Sequence, residues 1–598
     1  MTVDETLEVS RRTFLSGVAG TALVGSDGDS IGRATPTSEG ATRMGRDRVD
    51  RFGQPGSPSR KAERAWAEAE YNHYRRMREG VAQQDDPDED GADDGSSSGG
   101  AESGSPTAPS FDRTLDAVKD VGCDPSGNRP ISEDLNGSMQ DGTLIVFPPG
   151  DYLLSGKFQA NVDGTFGMVG AGYQSASSPP KPGENTATFV ADADSRTRIN
   201  FRATTGLFAN VVMDQRSSNS STGIVVGSSG FVQARDVRFV GVQDNTGKGV
   251  PDRLQIPPCA LQSDKGATVR AERVVGQYIG LPGDKNSGGA PMFWVGEGNA
   301  GTAQIGHCIS QGSADNGVYG GRTSGNVQIK GGQWINNEVS QLRFSGQGSW
   351  ADGATLVVDA DRYEGPSGDG GFNDKFGTFA VKIERGDNGY AKPGGAILRN
   401  CDIRTLSTGS HGISASVRVR GSGGALKIEN CRLVNQLDVP TVLAETPGQG
   451  YSGAKSPPPH NITITDSLFL GSRNGGIVSV AGRDNSLIRK TCFKIPGTGP
   501  NAINGMKIGS GVGFGETCSA GGLKAPEKVG SAGNLSAVPI NGSYASGGAG
   551  RSGPSKGVLA TVLGGTLMIL FVMLASIGAV VGAILGALSA LGGLVGGD

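Results

Sequence analysis

Charged side chains recur at alternate positions in three apolar segments of this 598-residue chain. Successive side chains of a β-strand point to opposite faces. After His411, Ile413, Ala415, Val417 and Val419 share one face, which leaves Ser414, Ser416, Arg418 and Arg420 on the other. Likewise Leu342 and Phe344 turn inward with Gln341 and Arg343 outward, and Phe379, Val381 and Ile383 turn inward with Lys382 and Glu384 outward. If these strands stack in register, Arg343, Lys382 and Arg418 form a basic row with Glu384 among them and Arg420 beside it. Such a row suits an acidic polysaccharide. Its Arg or Lys can neutralise a uronate carboxylate, or act as the base of a β-elimination if its pKa is depressed. The simpler account is a solvated face on which Arg and Lys only protect the sheet.

A second candidate is Asp359-Ala360-Asp361-Arg362. Leu356, Val358 and Ala360 alternate inward, so Asp359 and Asp361 are expected on one outward face. Same-face neighbours on a strand lie about 6.5–7 Å apart at Cα. That is near the lower end of the carboxylate spacing of inverting glycosidases. Such a pair can also bind Ca²⁺; no other cofactor is evident, and a hydrated sheet edge explains the pair equally well.

Short strands between tight turns must position these residues. The segment Val118-Lys119-Asp120-Val121-Gly122-Cys123-Asp124-Pro125-Ser126-Gly127-Asn128 precedes Ile131 to Leu135. Then Leu144-Ile145-Val146-Phe147 reads as a buried strand, Pro148-Pro149-Gly150 as a corner, and Tyr152-Leu153-Leu154 as the next strand. This entrance resembles that of the pectate-lyase-like superfamily, which includes pectate lyases, polygalacturonases and phage tailspikes. Those proteins often open with D-x-G-A-x-x-x-G, a short helix, and a strand ending in P-P-G-x-Y; here Cys123 stands where Ala is usual.

Repeats agree with that resemblance. A corner residue recurs before a hydrophobic step at Asn210, Asp236, Glu272, His307, Gly331, Ala360, Asn400, Asn430, Asp466 and Lys490, with spacings from 24 to 40 residues. Self-similarity at such periods signals a solenoid, here of about ten coils. A second motif recurs out of phase at Thr222-Gly223-Ile224, Asn316-Gly317-Val318, His411-Gly412-Ile413 and Gly475-Gly476-Ile477. Asn400-Cys401 and Asn430-Cys431 read as stacked corners, with Asn bonding turn backbone and Cys filling the core. The resemblance implies an all-β fold, a single-stranded right-handed parallel β-helix over roughly residues 111–518. It implies no single activity, because this fold hosts lyases, hydrolases, adhesins and structural spikes.

Within that family, Gly409-Ser410-His411-Gly412-Ile413-Ser414 is similar to the G-H-G segment of polygalacturonases and makes His411 a catalytic candidate. The accompanying motifs are missing: Asp387 and Asp402 stand singly upstream, and no R-I-K follows. His411 also occupies the repeat position held by Thr222, Asn316 and Gly475, so the repeat explains the match without catalysis.

Composition narrows the function classes. Gly is 100 of 598 residues, roughly twice the usual share, which fits many tight turns. A net charge of −4 supplies no field to hold nucleic acid. The seven cysteines include no C-x-x-C pair, which argues against zinc ligation. Cys492 and Cys518 can close a loop.

The ends suggest an address. Ser10-Arg11-Arg12-Thr13-Phe14-Leu15 precedes a modest apolar run, a twin-arginine export pattern in residues 1–25. Residues 26–59 read as disordered, 60–84 as an amphipathic helix, 85–110 as an acidic Gly/Ser linker and 519–556 as a Gly/Ser-rich linker. Residues 557–598 read as a membrane anchor, since 558–595 carry no charge and can form one tilted helix or a helical hairpin. Gly578, Gly582 and Gly586 have the small-xxx-small spacing that lets helices pair, a route to a homo-oligomer. Arg551 and Lys556 before the span would place its N-terminal flank in the cytoplasm, against the export pattern. Two functions follow as expectations: an exported, membrane-anchored surface protein that binds or processes polysaccharide, or a structural or adhesive cell-envelope protein without catalytic activity.

Overall fold

A computed structural model describes residues 109–518, except 175, 177, 244–255, 283–289, 368–376, 386–392, 410, 449–455 and 473–475. The segments at 1–25, 26–59, 60–84, 519–556 and 557–598, and nearly all of 85–110, lie outside the described residues. So do Gly578, Gly582, Gly586 and Asp387. Among the described residues no helix is long and apolar enough to cross a membrane.

One coil shows how the chain is built. Asn326–Lys330 runs to a corner at Gly331, Gln333–Ile335 leaves it, and a longer connection leads to Ser340–Phe344. The chain then returns to Trp350–Asp352, which pairs in parallel with Asn326–Lys330 through Gln328↔Trp350, Ile329↔Ala351 and Lys330↔Asp352. Repetition of this path makes a parallel β-helix with three sheets. Among the described residues the first sheet stacks fourteen strands, from Arg113–Asp116 to Lys507–Ile508. This exceeds the ten coils expected. In the earliest coils the corner between the first and second sheets has no left-handed polar residue, as at Pro148-Pro149, so the series at this corner begins only at Asn210. The only α-helix among the described residues is Ile131–Leu135, which buries Ile131 and Leu135.

The tight corner joins the first sheet to the second. Its residue is left-handed at Asn210, Asp236, His307, Gly331, Asn400, Asn430, Asp466 and Lys490, with φ between 47° and 62°. That conformation costs most L-residues about 1–2 kcal/mol, while Gly, Asn and Asp tolerate it best. Two expected corners move. Strand pairing continues through Glu272, so Arg273 takes the left-handed position, and Gly353 takes it in place of Ala360. The next residue turns inward, and at Cys308, Cys401 and Cys431 its thiol donates to the carbonyl two residues back at 3.2–3.3 Å. The Asn210 side chain does bond turn backbone, donating to Ala171 O at 2.7 Å, but those of Asn400 and Asn430 bond other corner side chains instead. Asn430 Nδ2 donates to Asn400 Oδ1 at 2.6 Å, and Asn400 Nδ2 to Asp352 Oδ1 at 2.8 Å.

The core is one continuous column. Phe147, Tyr152 and Phe189 meet edge to face near the start, and Phe469, Phe493 and Phe514 stack near the end with centroids 4.7 and 5.4 Å apart. A disulfide joins Cys492 to Cys518, while Cys123, Cys259, Cys308, Cys401 and Cys431 are buried thiols.

Candidate functional site

The third sheet carries the basic residues. Phe293, Val318, Leu342, Val381 and Val417 all point into the core. Alternation therefore sends the next residue of each strand out. The pairings Trp294↔Tyr319, Tyr319↔Arg343, Arg343↔Lys382 and Lys382↔Arg418 place those residues in one straight row across five coils. Arg343, Lys382 and Arg418 thus lie on adjacent rungs.

The row differs from a solvated face. Side-chain exposure is 11% for Arg343, 10% for Lys382 and 1% for Glu384. Arg343 Nη2 donates to Glu384 Oε1 at 2.9 Å, and its guanidinium lies 4.2 Å from the centre of the Tyr319 ring. Lys382 Nζ is 3.3 Å from Glu384 Oε2, an ion pair without a well-aligned hydrogen bond, and 5.4 Å from the Phe379 ring centre. Arg418 grips Glu445 Oε1 through Nε at 2.8 Å and Nη2 at 2.6 Å, and Arg420 Nε is 3.5 Å from Glu445 Oε2. Two further outward expectations fail. Gln341 and Ser416 are buried, because Gln341 accepts from the Asn337 backbone and side-chain amides, and Ser416 bonds the Thr405 hydroxyl.

Burial and charge set the protonation states. Burial pushes the Lys382 ammonium down to about 8; Glu384 pulls the other way, while Arg343 and Arg420 add repulsion. Burial also pushes the Glu384 carboxyl up, but Arg343, Lys382 and Arg420 together outweigh it and hold it at about 2. The result is a carboxylate fixed between two cations, one of which gives up its proton within about two units of neutrality. Chemically, this arrangement can neutralise an anion and supply an amine base.

Asp359 and Asp361 do not form an outward pair on one strand. The strand stops at Asp359, and Ala360–Arg362 coil into a 3₁₀ turn. Asp359 is buried against Ser407 and Arg362, and burial pushes its carboxyl up. Asp361 is exposed, and its N–H donates to Ser407 Oγ at 2.9 Å. Both lie at the end of a second-sheet strand, away from the basic row's sheet. Among the described residues no group of three or more His, Cys, Asp or Glu is placed to hold a metal ion. His411 is exposed in a bend before the Val417–Val419 strand. Asp402 sits in the second sheet, ion-paired to Arg404 and Arg432. His411 and Asp402 thus belong to different elements, and Asp387 lies outside the described residues.

Trp294, Tyr319, Arg322 and Glu445 were not expected at this site. Phe293–Trp294 is a two-residue strand, too short for alternation to show. The only signal in the sequence is the aromatic type of Trp294 and Tyr319. Arg322 lies 5.9 Å from the Trp294 ring centre and 5.8 Å from that of Tyr319, donates from Nε to the Tyr319 hydroxyl at 3.2 Å, and places Nη1 3.6 Å from Glu297 Oε1. Below Arg420, the buried Arg483 donates to the carbonyls of Arg420, Gly424, Glu445 and His460, pinning the backbone that carries Arg420 and Glu445.

No protein-family model matches the sequence, and no curated protein does. Solved structures with a similar chain path include the catalytic domain of Agl-KA, with TM-score 0.44 and 12% identity over 68% of this chain and 70% of that one. The A-module of the Azotobacter vinelandii mannuronan C-5 epimerase AlgE6 gives 0.33 and 13% over 67% and 98%. The Streptococcus pneumoniae surface protein and adhesin PfbA gives 0.32 and 10% over 68% and 98%.

Proposed function

We propose that this chain binds an acidic polysaccharide along the third sheet and cleaves it by β-elimination. The observation that carries the reading is the row of Arg343, Lys382 and Arg418 on adjacent rungs, with Glu384 holding the first two. Arg343 and Arg418 neutralise uronate carboxylates, which acidifies the proton at C5. The neutral amine of Lys382 takes that proton. The C5–H electron pair becomes the C4–C5 double bond, the C4–O bond breaks, and the departing oxygen is protonated by water. Full-length protein incubated with polyuronates should produce the ultraviolet absorbance of the unsaturated ends, and Lys382→Met should remove it while leaving binding in place.

A second reading is a structural or adhesive envelope protein. It draws on the fact that Arg343, Lys382 and Arg418 are already ion-paired, to Glu384 and Glu445, without a ligand. Absence of product, together with no retention on immobilised acidic glycans, decides for it. In either reading we place the protein outside the cell after twin-arginine export, anchored by residues 558–595. Deleting those residues should release it into the medium, and persistent membrane association of the truncated protein argues against the anchor.

A further inference from the structure

We infer that the outer face of the first sheet binds a second copy of this chain, face to face about a two-fold axis. The order of charge along one outward row carries the inference. Ile329, Ala351, Leu398 and Ile428 point into the core, so their chain neighbours on either side point out. Lys330, Asp352, Arg399 and Glu429 thus occupy four successive rungs of one outward row. A neutral rung follows at each end, Gly306 and Thr465, and beyond these stand Glu272 and Arg489. Along the coils the row runs minus, neutral, plus, minus, plus, minus, neutral, plus. Reversing that order changes the sign at every charged rung.

A two-fold axis in the interface, parallel to the strands, makes this reversal. It keeps each row opposite itself and inverts the stacking order of the coils. Lys330 then faces the partner's Glu429, Asp352 the partner's Arg399 and Glu272 the partner's Arg489, each contact occurring twice. All six charged residues reach solvent. Within one copy Arg399 pairs with Asp352 at 3.0 Å, Lys427 with Glu429 at 2.9 Å, and His307 bonds Glu272. The second copy adds a further opposite charge at each of these rungs.

The neighbouring outward row supplies apolar contact. Trp350 and Ile397 are half-buried on adjacent rungs, and the same axis lays Trp350 on the partner's Ile397. The cations of this row, Arg270 and Lys427, then meet the partner's Leu487 and the partner's Gln328, so no like charges oppose. The third sheet behaves otherwise: its row of Arg343, Lys382 and Arg418, turned on itself, sets cation against cation. Eight rungs about 4.8 Å apart, on strands up to about 17 Å long, bury about 600 Å² per copy and about 1,200 Å² in all. That is the low end of a specific interface, so the dimer is weak and sensitive to salt. The third sheet stays uncovered, and the inference does not depend on the glycan reading.

Sedimentation velocity of the full-length protein tests this. The wild type should dimerise, with a Kd at least about tenfold weaker at about 0.5 M salt than at about 0.05 M. Lys330→Glu and Glu429→Lys should each weaken self-association at least about tenfold, because each opposes like charges twice. Mixed in equal amounts, the two variants should form a heterodimer of wild-type strength, since each brings the charge the other has lost. Asp352→Arg and Arg399→Glu should behave in the same way, and they serve where thermal unfolding shows that one of the first two has lost its fold. A wild type that stays monomeric at low salt, single variants that dimerise like the wild type, or a mixture that stays monomeric would each overturn the interface.

Discussion

Lys382 Nζ sits 3.3 Å from Oε2 of Glu384, two residues further along the chain and almost fully buried. The pair puts a buried ion pair in the middle of the basic row, and its titration is linked to folding. The folded-state pKa of Lys382 is about 8, below its ordinary 10.5, so between those values the unfolded chain holds more protons. Stability should therefore rise as pH increases through that window. Lys382→Met should abolish the rise in thermal melts between pH 8 and 10.5. A wild-type melting temperature that falls across the window contradicts the assignment.

Glu384 acts in the opposite pH range. Its carboxyl is held at about 2 against an ordinary 4.5, so it contributes stability above 4.5 that is lost as pH falls toward 2. Glu384→Gln leaves two nearly buried cations without their carboxylate and should cost about 3–5 kcal/mol near neutrality. Denaturant unfolding measures this; a loss below 1 kcal/mol would mean that water already screens the site.

Arg483 bonds four carbonyls from three parts of the chain. Its replacement by Ala should cost at least about 3 kcal/mol, because the buried carbonyls lose their donors. It should also loosen the backbone carrying Arg420 and Glu445. Hydrogen exchange at residues 420–424 and 445 should speed up in this variant, and unchanged protection there would contradict the role.

The corner ladder gives a test of backbone chemistry. Asn430 is left-handed with φ 49°, and its side chain donates to Asn400. Asn430→Ala should cost about 1–2 kcal/mol, and Asn430→Gly clearly less, since glycine takes that conformation without a Cβ clash. Equal effects of the two substitutions would assign the whole cost to the lost hydrogen bond.

These residues show what was legible in the sequence. Left-handed corners favour Asn, Asp and Gly, so Asn210, Asp236, Gly331, Asn400, Asn430 and Asp466 could be read from residue type and spacing, and His307 and Lys490 from spacing alone. Arg273 and Gly353 escaped it: strand pairing carries one corner a residue further, and the other follows the three-residue strand Trp350–Asp352. The basic row was legible only as three separate alternations, because register depends on the path of the connections between strands. Its burial was not legible at all. The aspartate pair failed where period-two reading ran past the end of a strand into the turn at Ala360–Arg362. Trp294 stayed hidden in a two-residue strand.

The most direct test of the central claim is the pH–rate profile for β-elimination of a polyuronate by the full-length protein. The account predicts unsaturated product, with a rate that rises through pH of about 8 as Lys382 loses its proton. It also predicts no product from Lys382→Met, although that variant still binds the polymer. A Lys382→Met variant as active as the wild type, or a wild-type protein that neither cleaves nor binds any polyuronate, would contradict it.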